Sequence, residues 1–314
     1  MRVLSGIKKN RLQFILLFLL LFALIAVAVF IGTAESNEFV IVHLRIPRII
    51  MSVFAGASLT LCGAIFQSIF RNPICDPYIL GISSGASIGA ALAFILGLDF
   101  YLFGVTSFAL ATAFLTLLLM FGIMRFSKLK SSYTMLLAGI SLNFLMASIL
   151  TILMVLNHQE MQKIIFWTMG SFATVSYHET LFFIPIFLVC TFFTYVLSKD
   201  LNIMQLGDTQ AQSLGVNTQR VTYIMLLISS ILIAATVSIC GVIGFVGLII
   251  PHLARMFWGN NTKSLFVFSM LLGAIFMLVA DTLARVIVPN AELPVGSLTA
   301  LIGAPYFIYM LVRQ

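Results

Sequence analysis

Long stretches without any charged residue restrict what this chain can fold into. Charge-free runs lie between Arg11 and Glu35, Arg48 and Arg71, Asp76 and Asp99, and Asp99 and Arg125. Others lie between Lys130 and Glu160, Glu179 and Lys199, Arg220 and Arg255, Lys263 and Asp281, and Glu292 and Arg313. A helix needs about 20 apolar residues to cross a hydrocarbon core of about 30 Å, and most of these nine runs reach that length. Only 9% of the residues are charged, against about 25% in a soluble domain. So few charges cannot cover a water-facing surface. The sequence therefore predicts an all-α polytopic membrane protein, one transmembrane domain over residues 1–314.

The seventh run is anomalous. It holds 34 uncharged residues, roughly 51 Å as a single helix. Gly241, Gly244, Gly247 and Pro251 interrupt it, and glycine and proline both weaken helices. Splitting it into spans near 221–240 and 243–257 gives about ten spans and puts both termini on the cytoplasmic side. Thirteen Lys and Arg then fall inside and four outside, as the positive-inside rule requires. Without the split, Arg255, Lys263 and Arg313 move outside. The four outside basics are Arg45, Arg48, Lys163 and Arg285. The first run is read as a retained span, since it is too long for a signal peptide.

The net charge of +7 is explained by these basic inside loops, so no nucleic-acid partner is expected. Cys62, Cys75, Cys190 and Cys240 form no CxxC pair and read as buried small hydrophobes. No HExxH or P-loop occurs, and the histidines at 43, 158, 178 and 252 are scattered, so neither metal nor catalytic chemistry is expected. His252 reads as a hydrogen-bonded structural histidine. Asp281 ends an apolar run, where an acid must find a partner. Arg285, four residues on, is available on the same helix face.

"LTLCGAIF" at 59–66 resembles "VSICGVIG" at 237–244, and the two run in opposite directions in this topology. Inverted repeats of that kind characterise transporters, with halves near 45–156 and 221–312. Small residues crowd "GASLTLCGAIFQ" and "GISSGASIGAALA", which suits close helix packing. A polar-walled passage using Ser83, Ser84 and Ser87 is the functional alternative. The outside stretch 157–179 has aromatics suited to an interfacial helix. On the inside, Gly207 and Gly215 bracket two turns of helix. Leu206, Ala211 and Leu214 offer apolar contacts there, and Asp208 sits where a helix start favours negative charge. Such a segment suits contact with a separate ATPase. An ion-driven carrier is the competing class, but it should show more intramembrane charge than Asp281.

Several motifs in order resemble one family: "RIPR" at 45–48, "GASLTLCGAIFQSIFRNPICDPYILGISSGA" at 56–86 and "LLAGISLN" at 136–143. "FWTMGSF" at 166–172, "LGDTQAQSLGV" at 206–216, "GVIGFVGLIIPHLAR" at 241–255, "ADTLAR" at 280–285 and "AELPVGSLTALIGAPYFIYML" at 291–311 continue the match. The chain resembles FecCD-type permeases of the ABC importers for iron-siderophores, haem and cobalamin. The family usually reads "NPLADP" where Ile74 and Cys75 stand here; both keep small or aliphatic character.

The resemblance implies a multi-pass subunit of the bacterial cytoplasmic membrane with ten helices. It implies a second permease, identical or different, and two ATPases that carry the ATP and Mg, leaving this subunit without cofactor or catalysis. An external binding protein would deliver the ligand: a ferric siderophore first, with haem or cobalamin behind. By position, Arg45, Arg48 and Arg285 match residues that meet acids of that binding protein. Leu206, Gly207, Asp208, Ala211, Leu214, Gly215 and Val216 match the ATPase coupling segment. Trp167, Met169, Gly170, Ser171 and Phe172 match the outer mouth of the pathway, and Ser131 and Ser132 fall near its inner gate. A zinc or manganese ABC importer is a related alternative that the large-chelate motifs fit less well.

Overall fold

The computed structural model describes residues 2–32, 37–126, 132–288 and 291–313. Among them there is no strand, and twelve α-helices follow in order. The first six are α1 (Arg2–Phe30), α2 (Ile46–Ile69), α3 (Ile82–Ile95), α4 (Gly104–Phe126), α5 (Ser132–Leu156) and α6 (Met161–Thr168). The rest are α7 (Tyr177–Met204), α8 (Asp208–Ser213), α9 (Thr218–Cys240), α10 (Val246–Trp258), α11 (Thr262–Val286) and α12 (Val295–Arg313). Seven of these helical segments are long and apolar enough to cross a membrane: those built on α1, α2, α4, α5, α7, α9 and α11. Three shorter apolar helices, α3, α10 and α12, stand where the other three spans are expected. The chain is a polytopic membrane protein.

The expected break in the seventh run is present between Cys240 and Val246. Gly241 has φ 68° and Phe245 φ 68°. A bulky residue in the left-handed region is strained, so the turn is held by its surroundings. A second break lies between α2 and α3 and ends at Gly81, φ 81°. The two breaks meet. The Tyr78 hydroxyl donates to the Ile243 carbonyl at 3.0 Å and accepts from the Ile243 N–H at 3.3 Å. The Asn143 amide of α5 donates to the carbonyls of Tyr78 and Ile79, both at 3.1 Å, and accepts from Ser84 Oγ at 2.6 Å. Irregular backbone at membrane depth survives only where such groups satisfy it.

The bundle has two distinguishable ends. At one, Arg71 after α2 bonds the Met204 carbonyl and Asp208, so α8 caps that end. At the other, the start of α2 meets the end of α11 through Arg48 and Asp281. α2 and α9 run in opposite directions between these ends and form the buried centre. Helices α2–α5 and α9–α12 follow the same pattern, with a short second member, α3 or α10, started from a left-handed residue. Contacts correspond as well: α2 packs on α9, α10 and α11, and α9 packs on α2, α3 and α4.

Small residues let α2 approach its neighbours closely. A Cβ placed on Gly63 would stand 1.8 Å from the Gly247 carbonyl oxygen, and one on Gly56 would stand 2.2 Å from that of Gly273. Ser83 and Ser87 are buried, and Ser87 Oγ donates to the Ser83 carbonyl at 3.0 Å. Within this subunit the small-residue stretches serve packing, and of the three serines Ser84 is half-buried and donates to Asn143 Oδ1. Gly63→Val should therefore force α2 from α10 and cost about 1–3 kcal/mol or more. The check is the loss of monodisperse protein on gel filtration after stepwise heating in detergent.

Candidate functional site

Arg45, Arg48 and Arg285, distant in sequence, come together at the end of the bundle opposite α8. A π-helical turn, Val40–Arg45, runs directly into α2, and Pro47 takes the first turn of α2, where a missing N–H costs little. Arg48 makes a forked contact with Asp281: Nε to Oδ1 at 2.9 Å and to Oδ2 at 3.1 Å, with Nη2 to Oδ1 at 2.9 Å. Its Nη1 reaches Glu292 Oε2 at 2.7 Å. Arg285 Nε stands 3.4 Å from Asp281 Oδ2, and Arg45 Nη1 donates to the Val29 carbonyl at 3.0 Å. The last turn of α1 thus anchors one arginine, and α11 supplies the acid for the other two.

This arrangement sharpens the sequence reading. The Asp281–Arg285 pair exists, but Arg48 is the closer partner. The three arginines do not project as a landing patch. Their exposures are 4%, 7% and 4%, and Asp281 is fully buried. They line a recess of about 120 Å³ together with Gly32, Val40, Ala173 and Glu292. Glu292, whose side chain is 42% exposed, is the acid at the rim. The sequence reading passed over Glu292, although it directly precedes the Leu-Pro that leads into α12. It also passed over Glu179, which caps α7 from a Ser176-x-x-Glu179 box and accepts from Thr106 Oγ1 at 3.3 Å. That box is readable in sequence.

The expected mouth segment lies at the same end. The stretch 157–179 does contain a helix, α6. Lys163 on it bonds Asp99 at 3.0 Å and Glu160 at 2.9 Å, so its charge is neutralised locally. Those two carboxylates raise the Lys163 pKa. After α6 the chain turns at Gly170, φ 71°, against the end of α9 and the start of α12. The Ser171 N–H donates to the Cys240 carbonyl at 2.8 Å, and the Gly296 N–H to the Gly170 carbonyl at 3.4 Å. Phe172 and Gly170 are buried, Trp167 and Ser171 are half-buried, and Met169 is exposed. Of these five residues only Met169 is exposed, at 41%.

At the opposite end, the two glycines bracket α8 as expected. Gly207 has φ 125° and Gly215 φ 84°, values that favour glycine over any side chain. Ala211 and Val216 turn into the core, while Leu206 is 61% and Leu214 62% exposed. Asp208 opens the helix and binds Arg71. A cavity of about 390 Å³ lined by Arg71, Asp208, Met135, Thr222 and Tyr223 opens beside it.

Ser131 lies outside the described residues, as does the side chain of Ser132. All four cysteines are buried and free. No His, Cys, Asp and Glu group among the described residues is arranged to hold a metal. His252 Nδ1 has no hydrogen-bond partner there, against the expectation of a bonded histidine. Residues 81–85 and 85–89 each spell G-x-S-x-G. Both sit at or within α3 with no strand before them, so neither forms a nucleophile elbow.

The profile of the FecCD transport family matches residues 12–313. The molybdate import system permease protein MolB of Haemophilus influenzae is 40% identical over 279 residues, covering 87% of this chain and 82% of that one. The hemin transport system permease protein HmuU of Yersinia pestis is 36% identical over 290 residues, covering 90% and 86%. The Fe(3+)-citrate import system permease protein YfmE of Bacillus subtilis is 38% identical over 284 residues, covering 90% and 84%. A solved chain described as "An inward-facing conformation of a putative metal-chelate type ABC transporter" superposes with a TM-score of 0.88. It is 36% identical and covers 96% of this chain and 99% of its own. With the profile running nearly end to end over the same helices, the chain belongs to the FecCD transport family and is a permease subunit of an ABC importer.

Proposed function

We propose that this permease imports an iron chelate, a ferric siderophore in the first place, across the bacterial cytoplasmic membrane. Its N- and C-termini and α8 face the cytoplasm. The bundle end carrying the arginine recess faces outward and receives an acidic surface of a ligand-loaded binding protein. Two ATPases bind ATP and Mg and push on α8, and a second permease completes the pathway. The subunit itself hydrolyses nothing and binds no cofactor. The observation that carries this reading is the separation of features: a cationic recess at one end, and at the other a glycine-bracketed helix with two exposed leucines. The matching patterns of α2–α5 and α9–α12 support an inverted repeat, which suits alternating access.

MolB favours a second cargo, the molybdate oxyanion. The deciding experiment reconstitutes the permease with its copurifying ATPase and binding protein in liposomes. Uptake of ⁵⁵Fe-loaded siderophore that needs internal ATP is expected. Uptake of ⁹⁹Mo-molybdate alone would transfer the assignment to the oxyanion. Uptake driven by an ion gradient without ATP would sink the importer reading.

A further inference from the structure

A groove of about 500 Å³ lies between α1, α7 and α11, at the bundle end capped by α8. The arginine recess and α8 have no part in it. Its floor is apolar, made by Phe14, Ile15, Val267 and Phe268. That floor is braced: Phe14 meets Phe268 edge-on at 6.5 Å, and Trp258 stacks on Phe268 at 4.2 Å. Trp258 Nε1 also donates to Gln13 Oε1 at 2.9 Å, tying α1 to α10. Two cations close the groove at its polar end, Arg11 from α1 and Lys263 from the first turn of α11. The Lys263 ammonium lies 5.2 Å from the centroid of the half-exposed Tyr195 ring. Neither Arg11 nor Lys263 meets a carboxylate among the described residues.

We infer that this groove is a binding site for one anionic glycerophospholipid. Its phosphate would sit between Arg11 and Lys263, and the upper part of an acyl chain would lie over Phe14, Ile15 and Val267. Three properties select that occupant. Two positive charges without counter-ions among the described residues ask for an anion. An apolar floor directly beneath them asks for a hydrocarbon chain on the same molecule. Tyr195 and Trp258 are of the residue types that mark the headgroup level of a bilayer. The site has a structural consequence. Most described side chains of α1 face outward, Leu12 at 59% and Phe22 at 56% exposure, and α1 seats mainly on α11. A phosphate held by both Arg11 and Lys263 would clamp α1 to α11.

The test uses delipidated, detergent-purified permease titrated with dioleoylphosphatidylglycerol, dioleoylphosphatidylcholine or sn-glycerol 3-phosphate and weighed by native mass spectrometry. One phosphatidylglycerol retained per chain, preferred roughly tenfold or more over phosphatidylcholine, is expected. Arg11→Gln with Lys263→Gln should abolish the preference, and Lys263→Gln alone should weaken it. Glycerol phosphate should neither bind nor compete. Equal retention of both lipids, or a preference unchanged in the variants, overturns the site. Competition by glycerol phosphate would mean a free-anion site. A dimer that excludes lipid would mean that a second copy covers the groove.

Discussion

Asp281→Ala is expected to destabilise the folded chain by about 3–5 kcal/mol, because it strands Arg48 and Arg285 without their shared carboxylate. Asp281 is fully buried and sits between two guanidiniums that are themselves buried. Removing it leaves Arg285 without a carboxylate and Arg48 with Glu292 alone, in a largely desolvated site. Glu292→Gln makes the contrast. It too loses a contact to Arg48, but its side chain is 42% exposed, so solvent screens the loss and under about 1 kcal/mol is expected. Replacing Arg48 with Met and Asp281 with Leu together should recover part of the deficit, since the pair is then removed rather than broken. The measurement is the midpoint of heat-induced aggregation in detergent, followed by fluorescence gel filtration. An Asp281→Ala midpoint equal to wild type would contradict the pairing. The same logic constrains tests of docking. Arg48→Glu would put a third acid against Asp281 and disturb the fold, so a loss of uptake in that variant says nothing about a binding protein. Docking is better probed at the rim, through Glu292.

Leu214→Asp should lower ATP-driven uptake at least tenfold while leaving the thermal midpoint of the isolated permease unchanged. Leu214 is 62% exposed at the end of α8, so its loss empties no core. An apolar side chain in that position is useful when it enters a pocket on a partner, and an acid there carries its desolvation cost into the interface. Copurification of the ATPase with the variant is the direct readout. Wild-type recovery of the ATPase, with wild-type uptake, would remove α8 from the coupling role. Ala211→Asp is the structural counterpart. Ala211 is fully buried, so that change should reduce folding before it affects any partner.

Much of this molecule could be read from its sequence, for local reasons. The length of each charge-free run against the thickness of a bilayer placed the apolar helices. The glycines at 241, 244 and 247 located the broken span, and the pair at 207 and 215 located α8. Such signals act within a turn or two of chain, and backbone preference alone carries them. The arginines were legible as exceptions to the charge rule, but their environment was not. Arg48 and Asp281 are 233 residues apart, and nothing in the period of α2 or α11 says which neighbour each will meet.

The sequence by itself determined how many apolar helices form and where they break, because these follow from hydrophobic length and backbone freedom. Only the tertiary structure decided that Tyr78 would satisfy Ile243, that Gly63 would lie against Gly247, and that Asp281 and Glu292 would hold the arginines in a recess. The physical reason lies in the solvent. Lipid tails are as apolar as a helix interface, so hydrophobicity cannot choose partners within a membrane bundle. Close fit and polar pairing across the fold make that choice.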